Sequence, residues 1–365
     1  MNSFKSPHAH NIDPFSNRTS IAADEGFLRR ESTPGSFIDE MNGHRWNYEI
    51  REGDGVYGIA ENFPEGPLDH LAAAQYVQVP FRRIPRIPVR SIQEIDSIKD
   101  SIGFKNGDNL TMWRGQTKLH LLDDVRTSSD KAKLYGSNSP SEPSLTPSAA
   151  RENYDINSYM AAWFSLLDHH VNEYIDGTLR NSNRARFQTI KESWINLRSS
   201  YNFRAWAYGI AQHYGLPSTG LDLTPDLNVA VFFALHTFTK EPTGESRIDR
   251  LPPSANPVVF LMRVFSHDLA SDEQLGPPEL ATPRAKAQKA HFFTSAWGSS
   301  PNKASERIVA VFDLIDHANW SLPELTKQLF PSNNDDHYAN FFHQVSKEMP
   351  DILKIVPLDK IYYTK

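Results

Sequence analysis

Apolar residues return at intervals of three and four over several long stretches of the chain and cluster or alternate over short ones. The two periods separate helices from strands. Ile92, Ile95, Ile98 and Ile102 form one stripe of a helix over Ile92 to Ile102. From Tyr154 to Tyr174, and again from Phe187 to Gly209, aromatic and aliphatic residues keep the same spacing and predict a helical middle section. Leu227, Ala230, Val231, Ala234, Leu235 and Phe238 repeat it, while Val229, Phe232 and Phe233 fill the other side, so this helix must be buried nearly all round. Strands are expected at Gly55 to Ala60, Ala74 to Val79, Asn109 to Arg114, Pro257 to Phe265, Arg307 to Leu314 and Ile352 to Tyr363. Ile84 to Val89 is broken by prolines and is expected only at a sheet edge. KQLFPSNNDDHYANFF reads as helix, loop, helix. The fold class is therefore α+β: a single mixed α/β domain with a central buried helix and a mixed or antiparallel sheet.

Breaks in the pattern set the organisation. Residues 1–35 are polar and turn-rich and are expected to form a flexible N-terminal arm, with an N-terminal extension over 36–90, the main domain over 91–300, and strands and helices of 301–365 completing it. GSNSPSEPSLTP (Gly136 to Pro147) and EPTGESRIDRLPPSANP (Glu241 to Pro257) read as surface loops, because strong apolar patterns resume on each side. No internal repeat is visible. No apolar run approaches the roughly 20 residues of a membrane span, and the first residues have no apolar core after their positive charges, which places the protein in the cytoplasm.

Composition narrows the chemistry. The chain has no cysteine, which removes disulfides, thiolate metal sites and a cysteine nucleophile. With 44 acidic against 38 basic residues the formal charge is −6, so broad nucleic-acid binding through phosphate neutralisation is disfavoured. No Gly-x-Ser-x-Gly elbow and no Gly-x-x-x-x-Gly-Lys loop occurs. Asp168-His169-His170 lies in an amphipathic helical context without partner ligands, and His8 and His10 lie in the expected arm, so no metal site is assigned.

The densest chemical signal is QHYGLPSTGLDLTPDLNVAVFFAL, from Gln212 to Leu235. Gly215 and Pro217 stop the preceding helix and leave Gln212 and His213 on its last turn. Thr224-Pro225-Asp226 then reads as an N-cap, a first-turn proline and an acid on the positive end of the helix dipole. Asp222, just ahead, is a partly desolvated carboxylate that must be paired. The second signal is Met112-Trp113-Arg114-Gly115-Gln116 at a strand end, where the arginine fork suits phosphate or carboxylate and the glycine admits a close neighbour. Arg114 and Asp222 are natural partners, either as a buried ion pair or as co-ligands. His213 reads either as a general base near neutral pH or as a structural histidine packed on Trp206 or Ile210.

Trp113 to Gln116, the Pro143-Ser144-Leu145 element followed by Arg151, and the QHYGLP…LDLT…AVFFA run of Gln212 to Ala234 resemble the FRG domain family, which is named for its aromatic-Arg-Gly motif. RAKAQKAHFF, with Arg284, Gln288, Phe292 and Phe293, resembles that family's later Arg-x-x-x-Gln element, so the likeness spans about Ile92 to Phe293. Where the family usually reads Pro-Thr-Arg-Leu-Leu-Asp-Trp-Thr, this chain has Thr219 for the arginine and Leu223 for the tryptophan. The resemblance implies a protein of bacterial or phage conflict. Its Arg-Gly strand and following helix look loosely like ADP-ribosyltransferase folds, which implies NAD as the ligand. By that analogy Arg114 holds phosphate or ribose, Tyr214, Ser218 or Thr219 lines the site, and Glu306, at the start of a late strand, orients the ribose hydroxyl.

Two functional readings follow. In the first, a nucleotide-handling enzyme uses Arg114, His213, Asp222 and Glu306 for chemistry and Arg114, Gln116, Gln212, Tyr214, Thr219, Arg284 and Gln288 to hold a small anionic ligand. In the second, the motifs are structural and the protein is a sensor or interaction module that meets a partner protein through an exposed aromatic patch at Trp297, Trp320 or Tyr338.

Overall fold

The computed structural model describes residues 28–30, 36–39, 44–47, 75–79, 82–102, 109–122, 141–151, 155–179, 184–200, 202–240, 246–266, 269–293, 302–321, 325–332, 335–358 and 361. Most of the expected arm, the expected strand at Gly55 to Ala60, His8, His10 and Trp297 lie outside them. Within the stretch read as arm, Leu28–Arg30 (β1) is a strand, and it pairs with Ser36–Asp39 (β2), which pairs with His44–Asn47 (β3).

The main sheet has five strands. In spatial order they are Gln75–Val79 (β4), Arg82–Val89 (β5), Ile308–Leu314 (β13), Val258–Phe265 (β10) and Asn109–Gln116 (β6). Every pairing is antiparallel except β5 with β13, so the sheet is mixed, as the class α+β requires. Both faces are covered. Val259 and Leu261 of β10 and Trp113 of β6 join one apolar cluster, Val258, Phe260, Met262 and Met112 another, which is the period of two expected of a strand. Burial on both sides is why β10 reads as an almost unbroken apolar run.

The first face is covered by Ile92–Ile102 (α1) through Ile95 and by Leu227–Leu235 (α5) through Ala230, Val231 and Ala234. Over the other lies a three-stranded sheet in the order Leu269–Ala270 (β11), His291–Phe293 (β12) and Leu221–Leu223 (β7). A helical layer of Ile156–Tyr174 (α2), Arg184–Arg198 (α3), Asn202–His213 (α4) and His337–Glu348 (α7) has its own core around Trp163, Trp194, Trp206 and Phe342. The short helix Pro283–Gln288 (α6) precedes β12.

Several expectations need correction. Ile84 to Val89 is not at an edge, since β5 lies between β4 and β13. Its prolines survive because the two pairings are offset: Pro85 faces only Tyr76 of β4 and Pro88 only Asp313 of β13, so each keeps one side without a ladder. The helical stretch read over Phe187 to Gly209 is two helices, α3 and α4, parted near Ser199 and Ser200. The central helix ends at Leu235, and Phe238 belongs to a strand, His236–Lys240 (β8), paired with Ser246–Arg250 (β9) in what was read as loop. Its N-cap is Asp226, which accepts from Asn228 N at 3.0 Å, while Thr224 and Pro225 stand before the helix. Ile352 to Tyr363 contains no strand among its described residues. Pro350–Lys354 is a 3-10 turn, and Val356, Leu358 and Ile361 are buried in the helical core instead.

The closest approach in the fold is between β6 and α5. A Cβ added to Gly115 would lie 1.9 Å from the carbonyl oxygen of Ala230 and 2.7 Å from Ala234 N. Both contacts are backbone, so neither can swing aside. Gly115→Ala is therefore expected to cost about 3 kcal/mol or more in denaturant unfolding. Gly177→Ala, where an added Cβ meets nothing within 4 Å, is expected to stay within about 0.5 kcal/mol of the parent.

Candidate functional site

A cleft of about 570 Å³ opens where the end of β6, the end of α4, β7, α5, β8 and α6 meet. Its wall brings together Arg114, Gln116, Gln212, His213, Asp222, Arg284 and Gln288, side chains that lie up to 174 positions apart in sequence. Local structure explains how each arrives. Helix α4 stops in a Schellman turn: Gly215 has φ 77, its N–H donates to Gln212 O at 3.0 Å, and Leu216 N donates to Ala211 O at 2.9 Å. That leaves Gln212 and His213 on the final turn. In β7, Leu221 and Leu223 are buried, and Asp222 between them is the more exposed residue at the cleft. In α6, Arg284 and Gln288 are four residues apart and share a face.

His213 Nδ1 stands 3.0 Å from Asp222 Oδ1, with the imidazole wholly buried and the carboxylate 26% exposed. This is ion-pair distance, though the ring N–H is not aligned on the oxygen as a hydrogen bond. Arg114 does not pair with that carboxylate. Its Nη1 donates to the backbone carbonyl of Asp222 at 2.7 Å, so the expected Arg114–Asp222 ion pair is replaced by a strand-to-strand tie. The same two segments are stitched by Trp113 N to Thr224 O at 2.7 Å and Thr224 N to Trp113 O at 3.0 Å. The side-chain oxygens Oε1 of Gln116 and Gln212 are buried and accept no hydrogen bond, which leaves two acceptors that a ligand donor would satisfy.

Arg284 closes the deep side. It is 1% exposed, its guanidinium carbon lies 4.5 Å from the ring centre of Tyr214 and 5.6 Å from that of Phe330, and its Nε is 4.0 Å from Asp336 Oδ2. Tyr214 donates its hydroxyl to Asp336 Oδ1, and burial, reinforced by that carboxylate, holds the phenol well above its usual range. Gln288 Nε2 donates to Leu329 O at 3.1 Å, and the Gln288 backbone carbonyl accepts from Thr224 Oγ1 at 3.0 Å.

Not every predicted residue reaches the cleft. Tyr214 is fully buried behind Arg284 and is consumed by Asp336. Ser218 is buried too, its Oγ donating to Tyr208 O and its N–H bonded to Ser148 Oγ. Thr219, which stands where the family has arginine, does not line the cleft, whereas Leu223, which replaces tryptophan, does. Glu306 is not in a strand: its backbone belongs to the 3-10 turn Lys303–Arg307 ahead of β13, and its side chain lies outside the described part of the structure. Asp222 is the only carboxylate among the described lining residues.

Sequence reading missed part of the lining. His120, Thr146, His236, Thr237, Phe233, Phe238 and Phe330 also line the cleft. Phe233 had been assigned wholly to the core, and nothing in the pattern of single segments marks His236. Trp320 and Tyr338, expected in an exposed patch, are 6% and 0% exposed. Among the described residues no group of three or more His, Asp or Glu is placed to hold a metal ion, and no helix is long and apolar enough to cross a membrane.

Residues 131–242 match the family model described as FRG domain. The match contains Pro143 to Leu145 and Gln212 to Ala234 but ends before Arg284 and begins after Trp113 to Gln116. No curated protein and no solved structure matches the chain.

Away from the cleft, His170 of the Asp168-His169-His170 triplet has Nε2 2.9 Å from His337 Nδ1, with His170 stacked on Phe341 at 4.2 Å and His337 on Tyr174 at 3.9 Å. Burial, then the neighbouring His337 and His169, pushes His170 down to about 3, and burial pushes His337 down to about 4. Below the ordinary value of 6.5 the unfolded chain therefore takes up protons that the folded chain refuses. Stability is fully present above pH 6.5 and should fall as the pH drops toward 4, by up to ~1.4 kcal/mol per pH unit for each ring. Denaturant melts between pH 7.5 and 5 should show this slope and show it reduced in His337→Gln; parallel profiles would contradict it.

Proposed function

We propose that the protein, of which residues 131–242 match the FRG domain, binds a nucleotide of the NAD type and cleaves its N-glycosidic bond, resembling ADP-ribosyltransferases in chemistry. The observation that carries the reading is the placement of the His213–Asp222 pair beside Arg114 on a cleft wall that also holds two buried acceptors without donors. The volume, about 570 Å³, falls within the range of small-molecule sites.

Each residue has a role that suits its surroundings. Arg114, anchored through Nη1, offers its planar cation to phosphate or ribose oxygen. Asp222, the one carboxylate among the described lining residues, orients a ribose hydroxyl and opposes positive charge developing at C1′, the part that the ADP-ribosyltransferase analogy gives to Glu306. As the C1′–N bond breaks, nicotinamide leaves with the bonding pair. Water or an acceptor hydroxyl adds to C1′, and its proton passes to His213. Arg284 and Gln288 are held by Tyr214, Asp336 and Leu329 and shape the deep side of the cleft. An interaction module built on the same fold remains the competing reading, and it predicts no turnover.

Incubation of the purified chain with NAD should release nicotinamide, read by chromatography, with a mass gain on any acceptor. Arg114→Lys and Asp222→Asn should each lower the rate by about 10²-fold or more while the unfolding midpoint stays near the parent's. Absence of both turnover and NAD binding in the folded parent would overturn the reading.

A further inference from the structure

The lining of the cleft includes a cluster of mutually packed phenylalanines, and His236 beside it in sequence offers a single hydrogen-bond acceptor. Phe233 and Phe238 lie with ring centres 5.8 Å apart and planes at 29°, and Phe330 closes on them at 6.1 Å and 5.3 Å. Phe233 and Phe238 are half-buried, so they are neither sealed in the core nor lost to solvent. His236 follows directly on the last residue of α5. Its Nδ1 is 2.8 Å from the carbonyl oxygen of Phe232, four residues earlier, and its ring stacks on Phe232 at 4.1 Å. A carbonyl only accepts, so Nδ1 carries the proton and caps one of the carbonyls that a helix end leaves without a partner. Nε2 is thereby left as a lone-pair acceptor. Burial, with Arg250 nearby, lowers the affinity of the ring for a second proton, which keeps that acceptor available at neutral pH.

We propose that this end of the cleft is a base subsite that takes a planar heterocycle bearing an exocyclic amino group, adenine rather than hypoxanthine. The inference rests on the nucleotide reading of the cleft and goes beyond it by naming the ring. Phe233 and Phe238 supply the faces for stacking. His236 Nε2 accepts from the amino group, and its tautomer is set by the Phe232 carbonyl before any ligand arrives. A ring with a carbonyl at that position would set two lone pairs against each other. With the base held here, the ribose and phosphates reach Arg114 and the reacting centre reaches His213 and Asp222, which line the same cleft.

The test compares ADP with inosine diphosphate by titration calorimetry on the full chain. ADP should bind about tenfold more tightly. His236→Phe, which keeps an aromatic ring and removes the acceptor, should bring the two nucleotides to within about twofold of each other, and Phe233→Leu should weaken both together by about tenfold. Equal binding of the two nucleotides by the parent chain overturns this inference and leaves the nucleotide reading standing. Undiminished discrimination by a folded His236→Phe overturns it equally. Binding of neither nucleotide overturns both.

Discussion

The contact between Gly115 and the backbone of α5 governs the rest of the molecule. Strand β6 can lie against the helix only because nothing projects from that position toward Ala230 and Ala234. The closeness seats Arg114 beside the start of α5, lets Trp113 and Thr224 exchange backbone hydrogen bonds, and brings Asp222 within reach of the arginine through its carbonyl. A strand held further off would carry the same arginine on an unconnected surface. One glycine thus sets the distance between a sheet and a helix, and the width of a cleft follows from it.

Charge in and around that cleft is arranged in two separate ways. At the mouth, Asp222 is partly solvated and lies at ion-pair distance from a buried imidazole. In the depth, Arg284 and Asp336 are both almost wholly buried: the guanidinium lies over the Tyr214 ring, and Asp336 Oδ1 accepts from the Tyr214 hydroxyl and from Ala339 N at the start of α7. Burying such a pair is costly unless its remaining donors and acceptors are met; the phenol and the helix end meet Asp336 Oδ1, while Oδ2 is buried without a hydrogen bond, 4.0 Å from Arg284 Nε. The deep cluster is therefore a support that ties the helical layer to the cleft. The shallow pair is the one able to change its partners when a ligand enters.

Matching residues 131–242 to the FRG domain family covers less than a third of the chain, and the geometry shows why the remainder matters. Arg114, which comes before the match, and Arg284 and Gln288, which come after it, stand in the same cleft as Gln212 and Asp222.

Much of this was legible in sequence, and for reasons that can be named. The apolar period of α5, the glycine stop after His213, the i, i+4 spacing of Arg284 and Gln288 and the buried run of β10 are local consequences of backbone geometry, so residues near one another in the chain suffice to read them. What failed depended on distant neighbours. Pro85 and Pro88 marked an edge until the offset of two partner strands gave each an open side. Ile352 to Tyr363 had the composition of a strand, but its apolar side chains are drawn into the helical core. Only tertiary structure could bring His236, Phe233 and Phe238 into the same cleft lining as Asp222. Local pattern determined which elements form, because hydrogen bonds within a helix and alternation along a strand are short-range. Which side chains share one cleft was decided by packing alone, because it depends on how those elements close on each other.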